Sequence, residues 1–161
     1  MSIELVEAYV HKDEVKILFD EYTNMLIEGN PDFQKYLAIQ NYDEELEHLE
    51  SKYGLPDGRL YLAYFEKQLA GCVGLRKING SDCEMKRLYV RPQFRGNHIG
   101  DYLVKFIIEE ARKIGYSHML LDTLPFLDTA IQMYKKHGFY EISSYNNSPM
   151  EGLVYMKLEL A

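Results

Sequence analysis

From Arg87 to Asp101 the chain reads Arg-Leu-Tyr-Val-Arg-Pro-Gln-Phe-Arg-Gly-Asn-His-Ile-Gly-Asp. Leu88 to Val90 has the character of a strand end, and Pro92, lacking an N–H for a ladder, stops it. A short polar turn with Gly96 and Gly100 follows. Leu103, Ile107, Ala111 and Ile114 then recur at helical spacing. Strand, glycine-bearing turn and helix in that order aim unpaired main-chain N–H groups, and the positive end of a helix dipole, at one spot. Phosphate is the ligand such a spot takes. Arg95 at its lip adds a forked, charged donor.

The surrounding elements must hold this turn in place. Ile3–Val10 reads as a strand. Asp13–Ile27 reads as a helix, with Val15, Leu18, Phe19, Tyr22 and Leu26 on one stripe, and Gly29-Asn30-Pro31 ends it. Asp43–Lys52 reads as a second helix, with Leu46 and Leu49 inward and Glu44, Glu45, Glu47 and Glu50 as a solvated face. Leu60–Phe65, Leu69–Ile78 and Cys83–Val90 form an antiparallel meander, turning at Glu66-Lys67 and Asn79-Gly80. After the glycine-bearing helix, capped by Gly115, the run His118–Thr123 reads as a buried strand. Reached by a helical crossover, it runs parallel to the strand ending at Val90. A helix over Asp128–Lys136 with Asp128 or Thr129 as its cap, a strand at Tyr140–Ser144, a polar loop at Tyr145–Gly152 and a strand at Leu153–Leu160 complete the chain.

At 161 residues and 47% hydrophobic the expectation is one α/β domain spanning residues 1–161, without repeat or linker. The net charge of −7 argues against a nucleic-acid binder and suits a cationic substrate such as an amine. No run approaches a membrane span and no secretion signal opens the sequence, so a cytoplasmic setting is expected. A two-residue turn at Asn79-Gly80 sets Cys83 opposite Arg76 and Cys72 opposite Arg87, too far apart for a disulfide. Two free buried thiols and no metal site follow, since no Cys/His cluster has ligand spacing.

Three segments carry a resemblance: Glu84 to Pro92, Arg95-Gly96-Asn97-His98-Ile99-Gly100, and Ala130 to Phe139, where Tyr134 stands four residues before Gly138-Phe139. Together with the element order from Ile3 to Leu160, they resemble the GCN5-related N-acetyltransferase (GNAT) superfamily. The resemblance implies a mixed, mostly antiparallel sheet flanked by helices, with a central parallel strand pair. One position departs: His98 stands where the family pattern has its first loop glycine.

The resemblance further implies acetyl transfer from acetyl-CoA, as co-substrate, to a primary amine of a small molecule or peptide. Leu88, Tyr89 and Val90 would meet the pantetheine arm, the first and last through their backbone. Arg95, Gly96, Asn97, His98, Ile99, Gly100 and Asp101 would line the diphosphate. Tyr134 would donate to the leaving thiolate, and Glu84 is the candidate base. Tyr22, Phe33, Tyr36 and Tyr145 are candidates for the acceptor wall, offering apolar faces with hydroxyl tips. Arg91 either reaches the adenosine phosphate or lies solvated. A non-catalytic acyl-CoA sensor is the alternative of a different class, while a nucleotide binder would need a Walker Gly-Lys-Ser/Thr that is absent. The oligomeric state stays open, a homodimer included.

Overall fold

Three consecutive strands, the middle one buried over most of its length, build the centre of the molecule. The computed structural model describes residues 2–31, 42–146 and 152–160. Its strands are β1 (Ile3–Glu7), β2 (Arg59–Phe65), β3 (Gln68–Lys77), β4 (Asp82–Val90), β5 (His118–Thr123), β6 (Tyr140–Ile142) and β7 (Val154–Glu159). They form one sheet in the order β1-β2-β3-β4-β5-β7-β6. Every neighbouring pair is antiparallel except β4 and β5, which run parallel as expected from the helical crossover. The helices are α1 (Lys12–Gly29), α2 (Tyr42–Glu47), α3 (Leu49–Tyr53), α4 (Ile99–Ile114) and α5 (Asp128–Lys136). Among the described residues no helix is long and apolar enough to cross a membrane.

The two sheet faces bury different helices. Leu103, Ile107 and Ala111 of α4 are fully buried in one cluster with Val73, Leu75, Cys83, Met85 and Met119. Burying each large aliphatic side chain contributes roughly 1.5–3 kcal/mol, which fixes this helix firmly against the sheet. On the opposite face, Val15, Leu18 and Phe19 of α1 pack with Leu49 and Tyr53 of α3 over Leu60, Leu62, Cys72 and Tyr89. Gly115 closes α4 at φ +108°, its N–H donating to the carbonyls of Ala111 and Arg112.

Several local expectations need correction. The hairpin after β3 has a longer loop than two residues: Ile78 N–H bonds the Asp82 carbonyl at 2.9 Å, and Asn79 Oδ1 accepts from the N–H groups of Ser81 and Asp82. Cys83 therefore pairs with Lys77, not Arg76. A second shift between Cys72 and Gly74, with Arg87 at φ +59°, brings Cys72 opposite Tyr89 instead of Arg87. Both cysteines are nonetheless free and buried. The expected helix Asp43–Lys52 is interrupted at His48 (φ −127°, ψ 60°). Glu45 leaves the solvated face: its side chain is 7% exposed and pairs with Arg87 and Lys52. Leu127, not Asp128 or Thr129, occupies the cap position of α5, where no side chain caps the helix. Leu46 lies outside the described side chains.

Candidate active site

The parallel pairing of β4 and β5 is short: Asp82↔His118, Cys83↔Met119 and Glu84↔Leu120. Beyond Glu84 and Leu120 the strands part. A cleft of about 540 Å³ opens there, roofed by α1 and reaching the start of α4 and α5. The edge of β4 that β5 abandons carries main-chain groups available to an extended ligand.

At the far end of the cleft lies the turn before α4. Gly96 (φ +87°) and His98 (φ +62°, ψ 22°) both take the left-handed conformation. His98 does so despite its side chain, at a cost on the order of 1 kcal/mol. The first N–H of α4 to find an acceptor belongs to Tyr102, bonding His98 O at 3.0 Å. Among the described residues, the N–H groups of residues 96–101 have no hydrogen-bond partner. They form a row of donors at a helix N-terminus, which is the electrostatic requirement for a diphosphate.

The structure places most of the predicted coenzyme residues on this cleft. Leu88, Tyr89, Val90, Arg95, Gly96, His98, Ile99, Gly100 and Asp101 all line it. Asn97 does not: its side-chain amide turns back and donates to Phe94 O at 2.9 Å. Arg95 is exposed and lies along the strand end, with Nε donating to Val90 O at 3.2 Å. Arg91 is neither solvated nor free for a phosphate, because it forks onto Glu21 at 2.9 and 3.1 Å.

Tyr134 lines the cleft from α5, 7% exposed and edge-on to Phe139 at 5.8 Å. Its hydroxyl has no hydrogen-bond partner among the described residues. Burial, with Tyr22 nearby, pushes its phenol far above the ordinary tyrosine value, so it stays protonated. Tyr22 also lines the cleft, pushed up to about 12 by burial. Phe33 and Tyr36 lie outside the described residues.

Glu84 sits at the point where the strands divide, 1% exposed and off the cleft lining. Arg76 Nε donates to it at 2.6 Å, and the Tyr145 hydroxyl donates to its other oxygen. Burial alone would raise its carboxyl; Lys86 and Arg76 more than offset this and hold it below the ordinary carboxylate value. Tyr145 is likewise behind the lining, edge-on to Tyr155 at 5.5 Å. The sequence reading missed four charged residues that do line the cleft: Lys86, Arg87, Asp122 and Asp128. For Asp122 a signal existed, a lone carboxylate inside an otherwise apolar strand. Arg87 owes its place to a backbone bulge that no residue type announces.

Arg87 is buried over the Phe19 ring and bonds Glu45 at 2.7 and 2.9 Å. This pair ties α2 to the part of β4 that borders the cleft.

A family model for the acetyltransferase (GNAT) family matches residues 19–139. An uncharacterized N-acetyltransferase of Schizosaccharomyces pombe is 41% identical over 163 residues, covering 100% of this chain and 96% of its own. The crystal structure of a GNAT family acetyltransferase from Staphylococcus aureus shares the fold at a TM-score of 0.77 with 20% identity, over 99% of this chain and 100% of that one. A GNAT family acetyltransferase from Elizabethkingia anophelis, solved with acetyl-CoA bound, superposes at a TM-score of 0.56 with 24% identity, over 70% of this chain and 82% of that one. Sequence and architecture agree, and the chain belongs to the GNAT acetyltransferase family, as an acyltransferase.

Proposed function

We propose that the protein transfers an acetyl group from acetyl-CoA to the primary amine of a small molecule or peptide, with Tyr134 donating to the leaving thiolate. The observation that carries this reading is the row of unpartnered N–H groups at residues 96–101, continuous through the cleft with the open edge of β4. An elongated cofactor with a diphosphate at one end and amides along its arm fits both features. The acetyl-CoA in the related Elizabethkingia anophelis structure supports the same reading.

Acetyl-CoA supplies a thioester whose carbonyl carbon an amine attacks, forming a C–N bond as the C–S bond breaks and the electron pair leaves on sulfur. What this chain adds is proton management and position. A lysine-like amine has a pKa near 10.4, so about one molecule in 2,500 is neutral at pH 7. A positioned carboxylate takes the proton that becomes acidic as nitrogen bonds carbon, an effect of roughly 10²–10⁴-fold. Asp122 faces the cleft and accepts from Asn146 Nδ2 at 3.0 Å, so we assign this step to it. Glu84 lies off the cleft lining, and both of its oxygens are already taken, one by Arg76 and the other by the Tyr145 hydroxyl. Glu84 thus orients Tyr145, and Asp122 replaces it as base. On the other side, the protonated Tyr134 supplies a hydrogen bond to sulfur.

Calorimetry with acetyl-CoA, followed by thiol release with a panel of amines, tests the reading. Micromolar binding and amine-dependent thiol release are expected. Failure of acetyl-CoA to bind, or binding without turnover of any amine, refutes it.

A further inference from the structure

The charges around the division of β4 and β5 are unevenly matched. On the face covered by α1 to α3, Lys52, Arg76, Lys86 and Arg87 stand against Glu45 and Glu84. Glu45 is shared by Lys52 at 2.5 Å and Arg87 at 2.7 Å. Glu84 is occupied by Arg76 and Tyr145. Lys86 is left with a loose contact, its ammonium 4.0 Å from Glu84 and its side chain 14% exposed. It makes no hydrogen bond among the described residues, yet it lines the cleft. Burial and then the Lys86 charge hold the neighbouring Lys52 down to about 8.

Lys86 also has a counterpart. It lies two residues past Glu84 on β4, and Asp122 lies two residues past Leu120 on β5, so the two occupy matching positions on either side of the split. Lys86 still pairs in regular register with β3, opposite Gly74, before the bulge at Arg87. Parallel partners project to the same face, so both side chains belong to the acceptor side. They form no ion pair with each other. A simple cationic amine placed here would meet Lys86 and Arg87 as like charges. A molecule with an amine at one end and an anion at the other matches both arms.

Resting on the acetyltransferase reading, we infer that the acceptor is an amine that also carries a carboxylate, as amino acids do, with the carboxylate held by Lys86 and the amine directed to Asp122. This narrows the acceptor class: an amine whose neighbouring carboxylate is blocked lacks a partner for Lys86.

The test compares each of the twenty amino acids with its amide, by thiol release from acetyl-CoA. Amides have the less basic amine and therefore more of the reactive neutral form at pH 7, so an acid preference runs against intrinsic reactivity. For the best acceptor the acid should exceed its amide in kcat/KM by roughly tenfold or more, as a charge-assisted contact provides. Lys86→Met should bring that ratio towards one, and Lys86→Arg should restore most of it. A wild-type ratio at or below one, or a ratio indifferent to Lys86→Met, overturns the inference while leaving acetyl transfer standing. Turnover of other amines but of no amino acid or amide likewise overturns this inference alone, whereas binding of acetyl-CoA without turnover of any amine removes the acetyltransferase reading and this inference with it.

Discussion

Replacing His98 by glycine should stabilise the protein. His98 sits at φ +62° and ψ 22°, at the cap position of α4. For an L-residue the left-handed region costs roughly 1–2 kcal/mol, because Cβ crowds the following carbonyl. Glycine escapes that cost but loses more chain entropy on folding, roughly 0.5–1 kcal/mol. The imidazole is exposed and makes no hydrogen bond among the described residues, so its removal forfeits little else. The balance favours His98→Gly by about 0.5–1 kcal/mol, or roughly 1–4 °C in Tm for a chain of this size. Thermal and urea unfolding of wild type, His98→Gly and His98→Ala separate the causes. Alanine keeps Cβ and should melt within a degree or so of wild type. A glycine variant that melts below wild type, or an alanine variant that gains as much, would refute the backbone argument. Acetyl-CoA titrations at pH 6 and pH 8 complete the comparison. The N–H row is unchanged by the substitution, so affinity should hold at both; a loss confined to pH 6 would mean that the imidazolium touches a phosphate.

Other outcomes follow from the same geometry. Tyr134→Phe should lower kcat roughly 10²-fold and leave acetyl-CoA binding near wild type; the loss should be uniform from pH 6 to 9, because burial keeps the phenol protonated. Asp122→Asn should abolish the rise of kcat/KM towards neutral pH, whereas Glu84→Gln should lower the rate without changing the shape of that profile, and the reverse pattern would return the base to Glu84. Glu45→Gln should cost roughly 1.5–3 kcal/mol in chemical denaturation at pH 7, since it removes the carboxylate that pairs with the buried Arg87. Burial raises the Glu45 carboxyl, but Arg87 and Lys52 outweigh it, so its folded value lies below 4.5. Its stabilisation is therefore present above about pH 4.5 and lost as pH falls through the folded value, and the gap between Glu45→Gln and wild type should shrink in acid.

The half of the cleft formed by the end of β4 and the turn before α4 was legible in the sequence because it is built from backbone. Pro92, Gly96 and the stripe from Leu103 to Ala111 dictate a strand, a turn and a helix, and the donors come with that path whatever side chains hang from it. The parallel strand pair was legible for a similar reason, the crossover length. The part around Lys86, Arg87 and Asp122 was not, because it depends on where long side chains turn after the fold is made. Glu84 was the candidate base, yet Arg76 from the neighbouring strand and Tyr145 from a distant segment enclose it. Glu45 looked like one of four solvated glutamates, yet Arg87 draws it in. The register error at Cys72 has two local sources, a longer loop at Asn79 and a bulge at Arg87, and neither has a residue signature as clear as the Asn-Gly pair that suggested a tight turn.

The Glu45–Arg87 tie has a bearing on how such proteins can be re-engineered. Segment 42–53 packs beside α1 on one face of the sheet, so it invites transplantation from a relative with another appetite. Here it is bolted through one carboxylate to the strand that borders the cleft. A transplant lacking that carboxylate would take away the ion pair of a buried arginine along with the old helix, so a chimera should import the arginine's counterpart with it.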